Sequence, residues 1–189
     1  MRIACLGWGS LVWRPDSLPI VASKWYPDGP ELPIEFARRS SNDRVTLVLV
    51  PDRPTVTTLW GELACESSHE AIRRLAIREG VSPHRLALDI GFWTATADSG
   101  GQWRELIRKW AVPKAIECVV WTALPYKWER NGDRVASAEE VVGHLRQLQD
   151  KHNHQLAEEY VRKAPKQIRT PYREKIEHAL GWYSVGERG

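Results

Sequence analysis

A chain of 189 residues and 21.6 kDa is the size of one domain and is long enough to bury a core without disulfide or metal staples. Hydrophobic residues at 42% and charged residues at 27% exclude wholesale disorder. The longest apolar runs, 45–50 and 118–124, fall far short of the ~20 residues that a bilayer-spanning helix needs. The net charge of +3 is concentrated in the second half, chiefly over 162–175, where Arg162, Lys163, Lys166, Arg169, Arg173 and Lys175 face only Glu174. Such a run suits a solvated face of a terminal helix pair, or an acidic partner. Gly7 and Gly9 interrupt the first apolar stretch and the three cysteines Cys5, Cys65 and Cys118 are scattered. No signal peptide and no disulfide framework is therefore expected, and a soluble, cytoplasmic protein is the default.

In chain order, 2–6 reads as a buried strand that runs into Gly7-Trp8-Gly9-Ser10. Residues 15–32 are rich in Pro, Gly and Asp and predict a loop with one helical turn. Three β-rich runs follow at 33–40, 44–50 and 55–64, parted by Ser41-Asn42-Asp43 and by Pro51-Asp52-Arg53-Pro54. Ser67 with Glu70 forms a capping box ahead of the apolar face Ile72, Leu75 and Ala76, and Gly80 stands where a C-cap glycine belongs. Glu79 thus lies in a last helical turn, where the macrodipole disfavours its charge. Further on, 86–95 predicts a strand, 103–112 a helix closed by Pro113, and 115–122 another strand. Ser137 with Glu140 opens a helix carrying Val141, Val142, Leu145 and Leu148 on one face. Residues 156–163 are helical up to Pro165, and Thr170-Pro171 starts a last helix that ends before Gly181. Strands first and a helical C-terminal third argue for an α+β fold in a single domain over 1–189, with core motifs in 1–122 and a helical extension over 137–181.

Among the ten tryptophans, Trp8 stands apart because glycines flank it. A strand followed by Gly-Trp-Gly-Ser can present backbone N–H groups as an anion-binding concavity, or can be a plain tight turn. It is neither a phosphate loop nor a nucleophile elbow. His152-x-His154 lacks a third ligand at suitable spacing, so no metal site is expected, and the cysteines read as small buried hydrophobes. Glu35, Glu62 and Glu79 remain, each able to act in acid–base chemistry if buried in an apolar pocket.

Several of these residues, taken in order, resemble one family. Leu6-Gly7-Trp8-Gly9-Ser10-Leu11 with Val12-Trp13-Arg14-Pro15 resembles the Tyr-Gly-Ser-Leu-x-Trp signature of the γ-glutamylcyclotransferase-like superfamily, nearest to its ChaC-type branch. Arg38-Arg39, the strand 44–50, Trp60-Gly61 and Leu75-x-x-Arg78-Glu79-Gly80 follow in the same order. The resemblance covers roughly residues 1–95. It implies a small mixed β-barrel with surrounding helices, substrate held by Trp8, Gly9, Ser10, Leu11 and Arg38, and Glu79 as catalytic base and acid. The reaction it implies releases 5-oxoproline from a γ-glutamyl amide or peptide, with no metal or cofactor; neither a membrane nor a nucleic acid is expected as partner. Trp8 replaces the usual tyrosine, and Gly80-Val81-Ser82-Pro83 replaces the usual continuation after the glutamate. The alternative is a non-catalytic protein that binds an amino-acid carboxylate in the same pocket.

Overall fold

The computed structural model describes residues 1–98, 102–129 and 134–185. In chain order the elements are β1 (Ile3–Gly7), β2 (Glu31–Leu32), β3 (Ile34–Arg39), β4 (Val45–Leu49), β5 (Val56–Thr57), β6 (Leu59–Leu63), α1 (Ser68–Glu79), α2 (Leu86–Asp89), β7 (Ile90–Thr94), α3 (Arg104–Ala111), β8 (Cys118–Thr122), α4 (Ala138–Arg146), α5 (Lys151–Lys163) and α6 (Pro171–Leu180). The fold is α+β, as composition and element order predict. The chain forms two compact units interleaved in sequence.

The first unit comprises Met1–Gly7, Leu11–Leu32 and Thr57–Leu124. Its sheet has the order β6-β1-β8-β7. β1 runs antiparallel to β6, with Ile3 opposite Leu63, and parallel to β8, with Ile3 opposite Cys118; β7 and β8 are antiparallel. All five residues of β1 are buried, as expected of a central strand covered on both faces. Ile3 and Cys5 share one face, where they join Leu63, Cys118 and Val120 in a core with Leu11, Leu18 and the α1 residues Ala71, Leu75 and Ala76. Strict alternation along β1 and the i, i+4 spacing along α1 make those two faces meet.

This sheet stays open, contrary to the barrel expected above. The outer edge of β6 is occupied by an irregular segment: Tyr26 and Trp60 exchange N–H···O bonds of 2.8 and 3.0 Å, and Ala64 N–H donates to the Pro19 carbonyl at 2.9 Å. That segment contains Ala22 and Ser23 at φ 52° and 51°, a backbone that terminates pairing instead of propagating it. At the far edge, β7 closes on its own turn through Thr94 N–H to the Ala97 carbonyl at 2.7 Å. Two other expectations change. The first half of the predicted strand 86–95 is the helical turn α2, because an apolar run that short fits either period. The run 55–64 is split by Thr58, whose N–H and Oγ1 both donate to the Pro30 carbonyl.

The second unit comprises Trp8–Ser10, Pro33–Val56 and Pro125–Gly189. Here β3 and β4 form an antiparallel hairpin with a bulge between Phe36 and Arg38, α4 packs on α6, and α6 packs on β3. Buried charges are fully partnered. The Glu35 carboxylate accepts from Thr170 Oγ1 at 2.5 Å, Phe36 N–H at 2.8 Å and Tyr172 N–H at 3.3 Å. Thr170, the N-cap of α6, in turn accepts from Arg173 N–H. Arg173 has no exposed surface, yet Nε donates to Glu177 at 2.8 Å and the Nη atoms reach the carbonyls of Ala164, Pro165 and Ile168 and the Ser184 hydroxyl. Burial without such partners would cost several kcal/mol for each charge.

Burial is the dominant influence on Glu35 and raises its pKa above the ordinary 4.5, against the pull of its three donors. Stability from this group is complete below pH ~4.5 and is lost as pH rises through the higher folded-state value. Glu35→Gln is expected to flatten that limb of a pH–stability curve. Glu35→Ala is expected to lower the unfolding free energy by about 2–4 kcal/mol in urea melts, because it strands Thr170 and two N–H groups.

Candidate functional site

The end of α1 is set by local chemistry. Ser67 Oγ caps the first turn by accepting from Glu70 N–H at 3.2 Å. The Glu70 carboxylate reaches Glu66 N–H at 3.1 Å instead of Ser67 N–H, so the expected capping box is displaced by one residue. Gly80 closes the helix at φ 65° with its N–H on the Ala76 and Ile77 carbonyls. Glu79 is therefore the last helical residue, as predicted.

Neighbouring residues on a helix point about 100° apart and do not ordinarily meet. At this terminus they do. Arg78 Nη1 donates to Glu79 Oε1 at 2.6 Å, with the two side chains only 7% and 14% exposed. The other edge of the same guanidinium grips the Arg14 carbonyl, from Nη2 at 2.6 Å and Nε at 3.2 Å, and Asp16 lies 3.9 Å away. Glu79 Oε2 has no hydrogen-bond partner among the described residues. A charge-assisted bond of this kind contributes about 1.5–3 kcal/mol, which outweighs the ~0.3–1 kcal/mol that the helix C-terminus costs a carboxylate. The Cys5 thiol of β1 is pushed up, first by burial and then by the Glu79 charge.

Leu11 belongs to this unit. It is 4% exposed and sits in the core with Leu75 and Ala76 of α1, so the structure brings Leu11 and the helix of Glu79 together. Trp8, Gly9, Ser10 and Arg38 belong to the second unit. There Trp8 Nε1 donates to the Leu47 carbonyl at 3.3 Å, and Leu47 N–H donates to the Tyr160 hydroxyl at 3.2 Å. A Cβ on Gly9 would collide with that hydroxyl. Ser10 is half-buried. Arg38 stands outside the Leu47–Tyr160 anchor: its Nη1 donates to the Pro125 carbonyl at 2.7 Å and it lines a separate cleft.

The two glycines do not act as expected. Neither Gly7 nor Gly9 takes left-handed backbone; close approach is what excludes a side chain. At Gly7 a Cβ would lie 2.6 Å from the Trp25 ring and 3.0 Å from Val12. Tyr160 and the Arg14 carbonyl, both part of these anchors, carry no local sequence signal, since each meets its partner across 113 and 64 residues respectively.

The basic run 162–175 is largely occupied within its own unit. Arg162 pairs with Glu158, Lys163 with Glu159, Arg169 and Arg173 with Glu177, and Lys175 with Glu139. No group of three His, Cys, Asp or Glu able to hold a metal occurs among the described residues, and no helix among them is long and apolar enough to cross a membrane. Comparison with protein-family models, with curated proteins and with solved structures finds no match to this chain.

All three cysteines are buried and free. Burial raises the Cys65 thiol and pushes Cys118 up to about 12. Iodoacetamide at pH 8 followed by mass spectrometry is expected to leave all three unmodified in the native protein and to modify all three in urea. Modification of Cys5 in the folded protein would contradict the packing of β1 against α1.

Proposed function

We propose that this protein is a γ-glutamylcyclotransferase-like enzyme that releases 5-oxoproline from a γ-glutamyl amide or peptide, with Glu79 carrying the proton. The observation that carries the reading is the state of Glu79. One oxygen is fixed by a buried arginine, the other has no hydrogen-bond partner among the described residues, and the group sits at a helix end that disfavours it. Among the described residues the half-buried carboxylate is kept there by the Arg78 pair alone and leaves its second oxygen open, and such conflicts between local preference and observed placement tend to mark functional groups. Support also comes from the order of the sequence blocks around Gly9-Ser10-Leu11, Arg38-Arg39, Trp60-Gly61 and Arg78-Glu79. The α+β arrangement is the coarse outline of the fold this reading entails.

The chemistry asks little beyond proton transfer. The substrate's α-amine attacks its own γ-carbonyl carbon, so the nucleophile arrives already placed. Glu79 takes a proton from that nitrogen as the N–C bond forms. It returns the proton to the departing amine nitrogen as the original C–N bond breaks, and the carboxylate ends as it began. The carbonyl oxygen gains charge in between and needs N–H donors, a role the resemblance assigns to the turn at Gly9, Ser10 and Leu11. Arg38 would contact the rest of the substrate. The indole N–H of Trp8 is held by the Leu47 carbonyl, so it is not free to stand in for the hydroxyl of the family's tyrosine.

A panel of γ-glutamyl dipeptides assayed for 5-oxoproline tests the reading. At least one is expected to turn over, and Glu79→Gln is expected to lower kcat by about 10²–10⁴-fold in a protein that stays folded, its melting temperature falling by only a few degrees as the ionic part of the Arg78 bond is lost. Thermal stabilisation by the dipeptides with no product would overturn catalysis and mark a binding protein. A wild-type rate in the Gln variant would remove Glu79 from the role.

A further inference from the structure

The second unit holds a cleft of about 910 Å³ lined by Arg38, Arg39, Ser40, Ser41, Asp43, Lys127, Trp128 and Glu129. Its volume is that of a small-molecule pocket, which typically spans ~300–1,000 Å³. Two carboxylates line it, and each is paired with an arginine. Asp43 is held by Arg39 through Nε at 2.8 Å and Nη2 at 2.6 Å. Glu129 is held by Arg134, Nη2 at 3.2 Å.

What remains is positive and donor-rich. The Lys127 ammonium, the Ser41 hydroxyl and the Trp128 indole N–H have no hydrogen-bond partners among the described residues. Ser41 is exposed on the facing turn, while Lys127 and Trp128 are held by their neighbours. Lys127 N–H donates to the Ala37 carbonyl at 3.0 Å and Lys127 O accepts from Arg39 N–H at 2.8 Å, which fixes this residue against β3. The Trp128 ring meets His144 edge-on at 5.5 Å, and His144 is anchored to the Asp43 carbonyl at 2.8 Å. The Ser40–Asn42 and Arg44–Asn42 bonds brace the facing turn.

Unpartnered donors and a flat aromatic ring in one preorganised cleft describe a recognisable ligand chemistry. We propose that this cleft binds a small oxyanion carried on a planar aromatic or heteroaromatic ring, the anion meeting Lys127 and Ser41 and the ring lying against Trp128. Ammonium and hydroxyl donors suit carboxylate and phosphate alike, while a ring adds stacking and dispersion that a bare anion lacks. The volume accommodates a ligand with both parts. Glu79 does not line the cleft, which shares only Arg38 with the residues assigned to the 5-oxoproline substrate, and the proposal stands whether or not the protein makes 5-oxoproline.

The test is a titration of ¹⁵N-labelled full-length protein followed at the indole N–H resonances, with Trp128→Phe assigning the signal. Indole-3-acetate probes the carboxylate form and adenosine monophosphate the phosphate form; acetate and inorganic phosphate are the ringless controls. A saturable shift of the Trp128 signal is expected with at least one ring-bearing anion. Lys127→Ala is expected to weaken it roughly tenfold or more, to lessen its salt dependence and to leave any 5-oxoproline release unchanged. Three results would overturn the proposal: no saturable shift with either ring-bearing anion, undiminished affinity in Lys127→Ala, or ringless anions binding as tightly as their ring-bearing counterparts. A short single-stranded oligonucleotide that binds far more tightly than the mononucleotide would likewise replace the small-molecule reading.

Discussion

The ion pair between Arg78 and Glu79 is the constraint on which the proposed chemistry rests. A carboxylate in the last turn of a helix faces the negative end of the macrodipole, and burying it there would be unfavourable without a fixed counter-charge. Arg78 supplies that charge with one nitrogen and uses its remaining edge to bind the Arg14 carbonyl. A guanidinium presents donors in a rigid fork, so one arginine can hold two acceptors in a defined relation where a lysine could not. The consequence is mechanical as well as electrostatic: the end of α1, the chain at Arg14–Asp16 and the orientation of Glu79 are set together.

The second unit solves a similar problem with more groups. Glu35, Thr170, Arg173 and Glu177 are buried and mutually satisfied, and no buried side-chain nitrogen or oxygen among the described residues lacks a partner. Such a network is costly to break at one member and tolerable only when complete. It explains why a stretch rich in Arg and Lys need not face a partner. Arg173 is interior structure, and its neighbours pair along and between helices. The cleft at Lys127 is the contrasting case, where cationic and polar donors are left without partners in a hollow of ligand size.

Local rules carried much of this fold. Ser137 with Glu140 forms a complete capping box, Thr170-Pro171 starts α6 as its N-cap and N1 residues predict, and Gly80 and Gly181 take the left-handed C-cap geometry. Each of these depends on atoms within four residues, so the pattern and the structure are one statement. Glu79 was legible for the same reason, its position in a last turn being fixed by Gly80. Its orientation was not, because the Arg14 carbonyl that anchors Arg78 comes from a distant loop. Gly9 shows the limit differently: the pattern points to this glycine for its backbone freedom, but what excludes a side chain is the hydroxyl of Tyr160, and nothing in the turn itself announces that contact. The open sheet is not legible in the sequence because closure depends on what the edge of β6 meets, and an irregular segment with positive-φ residues meets it.

The central claim is that Arg78 holds Glu79 in the one orientation that lets its free oxygen carry a proton between two substrate nitrogens. The most direct measurement compares kcat and KM for 5-oxoproline release between wild type and Arg78→Gln, with circular dichroism and thermal melts confirming that both are folded. Loss of the orienting charge is predicted to reduce kcat by at least about tenfold, while KM changes far less. A folded Arg78→Gln protein that turns over at the wild-type rate would contradict the account.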